Sequence, residues 1–386
     1  MVFHVIPTHA VATAPGRPPL ARSGEPLAYK GRPITSGVGS FLHPISARAS
    51  VADLWSTMDI AAAAGETALQ RAGQAKLTTS AKGRLKAYVH QARQYYEAVV
   101  DADPVAKPLL GYYFVLNAAK AYLTAMDESL TAPHGFSHGI GQQNGHLAAP
   151  YNFYQEHFEA RGSGVFQALA SKSGRGFVWR ARSMKLSRLL PYLPESIDLY
   201  SSSFGLKPAL IPVEEVRAFA AGSRPNREAW LTAVVSRLAL QEADLGPRRL
   251  LTSAAAFANS FDLVNDGDTA TATYQLRQPI PYTSMPGPMP GLREAFDRSL
   301  IVRNRTLAIR RDHIIISPHV DLVSSEAITF AVMLHLSNMV RYRPHHVEEL
   351  RGGGRWWLFT SWVDRACENF LLSMSSRIAL EEHLIS

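Results

Sequence analysis

Cysteine is almost missing from this chain: Cys367 stands alone among 386 residues. An intrachain disulfide is therefore excluded, and the usage suits a reducing compartment. Long apolar runs are missing too. The longest apolar helical stretch, Ala327 to Met339, is interrupted by His335, Ser337 and Asn338 and falls short of the ~20 residues that cross a bilayer. Met1 to Arg22 shows neither the basic start nor the apolar core of a secretion signal and is broken by Pro7, Pro15, Pro18 and Pro19. No metalloprotease helix, phosphate-binding lysine loop, nucleophile elbow or dinucleotide-binding glycine pattern after a strand occurs. These gaps lead to the expectation of a cytoplasmic protein with no membrane contact, no cofactor and no bound metal.

What remains is an ordinary globular composition, 46% hydrophobic and 19% charged. It supplies a core without a disulfide or metal staple. The length suits two domains, or one large domain carrying an insertion. Lys and Arg outnumber Asp and Glu by 40 to 32, a net charge of +8. Such an excess attracts a polyanion such as RNA or DNA. A genome-wide bias toward arginine produces the same excess.

Residues 1–50 are rich in Pro, Gly, Ser and Ala and read as an extended arm packing over the body. Helical spacing begins at Val51, with Leu54, Trp55, Met58 and Ala62 recurring at three and four residues. A second helix is expected from about Ser80, carrying Leu85, Tyr88, Val89, Ala92, Tyr95, Tyr96 and Val99 on one side. A third is expected from Asp103-Pro104 to about Met126. It is apolar over most of its circumference, which places it centrally. Thr131 to Pro150 reads as a long loop holding His134, His138 and His146.

Residues 151–320 read as mixed. Val165-Phe166 and Phe177-Val178-Trp179 look strand-like, and 213–221 and 226–243 look helical, with Trp230, Val234, Val235 and Leu238 on one face. Thr269 to Ile280 alternates as a half-buried strand does, and Leu300 to Ile316 gives one or two strands. Ser325 to Val340 and Ser361 to Leu384 return to helix, with Cys367 as a small buried residue. The fold class is mainly α within α+β. A helical body forms from the N- and C-terminal segments, residues 51–150 and 321–386, with a mixed α/β middle section.

Three stretches together resemble the YaaC-like family. They are Tyr112 to Leu123 (YYFVLNAAKAYL), the His134-Gly135 pair, and Leu336 to Pro344 (LSNMVRYRP). Their order and wide spacing extend the resemblance over most of residues 50–380, and it implies no settled activity. Residues 80–140 also resemble, more distantly, the helical HEPN proteins, which include RNases. That second resemblance implies an Arg and a His four to six residues apart at the scissile phosphate. The arginine would stabilise charge there and the histidine would move a proton. Arg341 with His346, and Arg84 with His90, meet this spacing, although Tyr342 and Leu85 stand where a polar residue is usual. The competing reading of Arg341-Tyr342-Arg343-Pro344 is a helix end, stopped by proline, with its arginines at the negative pole of the dipole.

Asn117 and Lys120 share a helix face. With His134 nearby they would line a cleft able to hold a phosphate or a base. Alternatively Asn117 satisfies a backbone group and Lys120 reaches out to water. Arg180 and Arg182 interleave with Phe177 and Trp179, which suits single-stranded nucleic acid through phosphate contact and stacking. A solvated strand whose aromatics face the core would look the same. His134, His138, His146 and His157 lack compact metal-ligand spacing.

The expected function is a non-catalytic nucleic-acid- or protein-binding component in a bacterial stress or defence setting. Its partners would be RNA or DNA, another protein, or a second copy of the chain. Its binding residues would be Asn117, Lys120, His134, Arg180, Arg182 and Arg343. The alternative is a HEPN-like, metal-independent RNase with Arg341 and His346 as catalytic residues.

Overall fold

The computed structural model describes residues 21–29, 32–35, 45–64, 68–71, 73, 75–131, 137–142, 156–173, 183–186, 189–196, 207, 209–265, 268–299, 301–303, 312–316, 324–353, 356–379 and 382–385. Apart from single turns, its helices are α1 (Val51–Ala64), α2 (Thr79–Asp101), α3 (Lys107–Met126), α4 (Val165–Ser173), α5 (Arg237–Glu242), α6 (Pro247–Ser253), α7 (Ala255–Ser260), α8 (Met289–Arg298), α9 (Ser325–Tyr342), α10 (Pro344–Gly352) and α11 (Trp356–Ala379). Among the described residues no helix is long and apolar enough to cross a membrane.

The helices form where local chemistry starts them. Thr78, rather than Ser80, caps α2: its side chain accepts from the Ala81 N–H at 3.2 Å. Asp103 turns the chain before α3 by accepting from the Val105 N–H at 2.8 Å, and Pro108 sits in the first turn. Ser324 caps α9 through the Ala327 N–H at 3.2 Å. Helix α3 is buried nearly all round and packs against α2, α4, α9 and α11. Aromatic edges bind the two ends of the chain: Trp55 meets Tyr96 and Phe114, and Phe114 meets Phe370. The N- and C-terminal segments therefore share one apolar core, to which Phe158, Leu169, Leu186, Leu189 and Leu193 also contribute.

Gly111 lets α3, α9 and α11 approach closely. A Cβ there would lie 3.1 Å from Met333 Sδ, 3.3 Å from Val363 Cγ1 and 3.4 Å from Cys367 Sγ. Gly111→Val is therefore expected to overpack this junction and lower stability by about 1–3 kcal/mol, measured by urea unfolding. An unchanged midpoint would show that the three helices separate freely. Burial raises the Cys367 thiol well above its ordinary pKa, which leaves it an inert small residue.

A separate antiparallel sheet has eight strands among the described residues, ordered β10 (Phe261–Asn265), β11 (Thr271–Leu276), β9 (Arg227–Ser236), β8 (Leu210–Ala221), β14 (Asp312–Ile315) and β13 (Ile301–Arg303). β1 (Glu25–Pro26) adds to β8, and β12 (Ile280–Tyr282) to β9. Its own core takes in Leu27 and Ile34 from the N-terminal arm, together with Phe257, Leu292 and Phe296 from α7 and α8. β4 (Ile45–Ala49) pairs in parallel with β15 (Glu382–Ile385), which joins the two ends of the chain again. The mainly helical α+β class holds.

Three local expectations are corrected. Residues 213–221 and 226–243 are largely strand, not helix. A bulge between Val213 and Glu215 shifts the register of β8, so its buried positions do not alternate cleanly. In β9 the run Ala229 to Leu231 is buried without a break, and only Leu231, Ala233 and Val235 keep the period of two, too short a stretch beside the apolar Val234 to stand out in the sequence. Val165 and Phe166 are the reverse case: they open α4 and point into the helical core. The last helix spans Trp356–Ala379 and is followed by β15, so the helix expected to reach Leu384 ends earlier.

Candidate functional site

Helices α2 and α3 present a strip of tyrosines. Tyr88 and Tyr95 lie two turns apart on α2, and Tyr113, Asn117 and Lys120 follow the same face of α3. Tyr95 stacks on Tyr113 with ring centroids 5.2 Å apart and planes at 23°. Lys120 Nζ lies 5.4 Å above the Tyr88 ring. Burial lowers the basicity of Lys120. The Asn117 amide donates to the Tyr113 carbonyl at 2.8 Å, so this half of the pair satisfies backbone one turn earlier. From the end of α9, Arg341 Nη1 donates to the Tyr113 hydroxyl at 3.3 Å.

The loop 137–139 brings a histidine onto this strip. Its carbonyls cap the start of α4: Val165 N–H donates to Ser137 O at 3.0 Å and Phe166 N–H to His138 O at 3.1 Å. Gly139 and Gly164 hold the crossing. Both have positive φ (73° and 121°), and a Cβ on Gly164 would lie 2.5 Å from Gly139 Cα. The Arg161 N–H donates to Gly139 O at 2.9 Å, fixing β6 (His157–Ala160) and the residue after it beside the loop. So fixed, His138 hydrogen-bonds through Nδ1 to the hydroxyl of the buried Tyr112. Burial depresses the basicity of His138, and Lys120, Arg341 and Arg161 depress it further. Burial also holds the Tyr112 hydroxyl in its protonated form.

His138 thus rests against Tyr112 and feels the positive charge of three side chains, drawn from α3, the turn after β6 and the end of α9. Positive charge and aromatic rings lie side by side on one strip of the helical body.

The other residues singled out in the sequence lie elsewhere. Arg343 forms an ion pair with Glu156 at 2.9 Å, both largely buried. Beside them His335 is fully buried, edge-on to Phe158, and its pKa is pushed down to about 3 by burial and then by Arg343 and His346. His346 is buried on α10. Its basicity is lowered by burial and by His345 and Arg343, and partly restored by Glu349 and Glu156. Arg341 reaches Tyr113 from α9, whereas His346 belongs to α10, beyond the break at Pro344. Arg84 donates to Ser80 Oγ and to Glu128 O, while His90 is exposed on another side of the same helix. His134, Arg180 and Arg182 lie outside the described residues. Among the described residues, no group of His, Cys, Asp and Glu is placed to hold a metal ion.

A second polar group lies inside the helical body. Glu326 on α9 pairs with Arg377 of α11 at 2.8 Å and accepts from Ser373 Oγ at 2.5 Å. Arg377 also donates to Ser173 O at 3.0 Å, tying α4 to both. Glu195 is buried nearby, with the Asn369 amide donating to it at 3.4 Å.

His138, Arg161 and the Tyr112–Tyr113 pair escaped sequence reasoning as site residues. Nothing marks His138 among three loop histidines, and Arg161 stands alone between unremarkable neighbours. The Gly139 and Gly164 requirement for positive φ is the one local signal that the two segments cross.

The profile of a protein family described as YaaC-like Protein matches residues 62–378 of the chain. No curated protein and no solved structure matches it.

Proposed function

Given that the chain belongs to the YaaC-like family, whose matched region contains the whole tyrosine-and-cation face, we propose that it is a non-catalytic binding component that holds single-stranded nucleic acid on that face. The observation that carries the reading is that cations and rings alternate along one strip beside His138, with Lys120 over the Tyr88 ring and Arg341 bonded to the Tyr113 hydroxyl. Phosphates would meet the cations, and bases would stack on Tyr88 and Tyr113. The net charge of +8 favours the same partner at longer range.

Binding of a labelled oligouridylate, followed by anisotropy over a salt series, is expected to give a log–log slope of about −2, since each phosphate contact on a single strand contributes about −0.7. Arg341→Ala should flatten the slope by roughly 0.7. Lys207→Ala, which alters an exposed pair with Asp244 elsewhere, should leave it unchanged. Absence of binding at low salt would remove the reading.

The same samples test cleavage. Intact RNA after incubation with the wild type supports a binding role. Cleavage lost in both Arg341→Ala and His346→Ala would favour the metal-independent RNase instead.

A further inference from the structure

His138 is distinguished on this face as the side chain of a type that ordinarily titrates near neutrality. The groups facing it come from each element packed against its loop. Tyr112 and Lys120 belong to α3, Arg341 to the end of α9 and Arg161 to the turn after β6. The charges acting on the ring are all positive. Its Nδ1 is engaged by the Tyr112 hydroxyl, which burial keeps protonated and able to donate. Nε2 is left to meet a ligand. In the free protein the surroundings therefore favour an uncharged ring at the centre of a cationic face.

A phosphodiester placed there reverses the balance. Its negative charge offsets Lys120, Arg161 and Arg341, and its oxygen can accept from Nε2–H. The charged ring then gains a partner, while Nδ1–H can donate to the Tyr112 oxygen, since a phenol both donates and accepts.

We infer that nucleic-acid binding at this face is proton-coupled: His138 is neutral in the free protein and takes up a proton when a phosphate docks against Lys120, Arg161 and Arg341. The inference rests on the binding role proposed above and adds its regulation, an affinity that acid strengthens. The sign follows from linkage: the complex holds more protons than the separated partners, so affinity rises as pH falls. The rise is confined to the window between the raised pKa of the complex and the lowered pKa of the free protein, and binding is flat outside it. Each unit by which phosphate raises the ring's pKa is worth tenfold in affinity.

The test measures oligouridylate affinity at constant ionic strength from about pH 8 to about pH 5, the range in which histidine titrates. The wild type should bind about tenfold more tightly at the acid end. His138→Gln, whose side chain cannot charge, should lose most of that pH dependence. Tyr112→Phe removes the hydroxyl that donates to the neutral ring, and should move the midpoint upward. A measurement on the unaltered protein guards against misfolded variants: the His138 ring resonances, titrated with and without oligouridylate, should report a higher pKa in the complex. Binding that is equally tight across the range, a pH dependence retained by His138→Gln, or an unmoved ring pKa would each overturn the coupling and leave the binding role standing. Failure to bind at every pH would overturn the binding role itself.

Discussion

Arg377→Met is expected to lower folding stability by about 3 kcal/mol in urea unfolding near neutral pH, the low end of the range for breaking a buried ion pair from one side. The low end applies because a third of the arginine side chain remains in contact with solvent, while Glu326 is almost fully covered. The loss comes mainly from the carboxylate left behind. Arg377 bonds it through Nε at 3.2 Å and Nη2 at 2.8 Å, and among the described residues no second cation bonds it. Burial by itself would raise the pKa of Glu326; Arg377 and Ser373 outweigh it and hold the group below its ordinary value. A depressed carboxyl stabilises the fold above the unfolded pKa near 4.5, and the contribution disappears as pH falls through the folded value. The wild type should therefore lose this part of its stability only in acid, and the variant should lack it throughout. Adding Glu326→Gln to Arg377→Met should restore part of the loss, because the stranded charge is then gone. A drop below about 1 kcal/mol in the single variant would show that water reaches Glu326.

Glu195→Gln is expected to stabilise the protein above neutrality. The carboxyl is fully enclosed, and its pKa is pushed up to about 7 by burial first, with the charge of Glu326 adding to it and Asn369 and Arg365 opposing. In the unfolded chain it titrates near 4.5. Between these two values the unfolded state gives up its proton while the folded state keeps it, so stability falls as pH rises. At 1.36 kcal/mol for each pKa unit, the fall amounts to about 3 kcal/mol and is complete slightly above pH 7. Glutamine keeps the shape and cannot ionise, so the variant should match the wild type near pH 4 and exceed it by up to about 3 kcal/mol near pH 8. Denaturant unfolding at a series of pH values measures this directly. A stability profile that keeps its slope in Glu195→Gln would place the titrating group elsewhere. The two carboxyls act on each other, so their effects should not add in the double variant.

The helices of the body were readable in advance because their burial repeats with the helix. Leu85, Val89, Ala92, Tyr96 and Val99 are buried at three- and four-residue spacing, and the apolar girth of α3 announced its central place. The strands β8 and β9 were not, since a bulge in β8 and the unbroken buried run Ala229 to Leu231 in β9 left only short stretches with the period that identifies a strand. The helix starts were displaced by a few residues: Thr78 caps α2 in place of Ser80, and Asp103 shapes the turn at Val105 while α3 itself opens at Lys107. At the site, the sequence marked Lys120, Asn117 and Arg341 but not what they face. Asn117 turned to backbone, Arg343 was drawn into a pair with Glu156, and His138 was indistinguishable from the other loop histidines.

By itself the sequence determined the class of the fold, the helices of the body, the net positive charge and the membership that its scattered motifs shared. Those properties are local or summed along the chain, and each residue carries its share wherever it lies. Which cation meets which ring was decided only in three dimensions. Residues 112, 138, 161 and 341 are far apart in the chain, and their meeting depends on α3 packing against α9 and on two glycines that let one loop cap another helix. No spacing along a chain encodes a contact made across two packed helices, so the charge of the face became visible only with the core that assembles it.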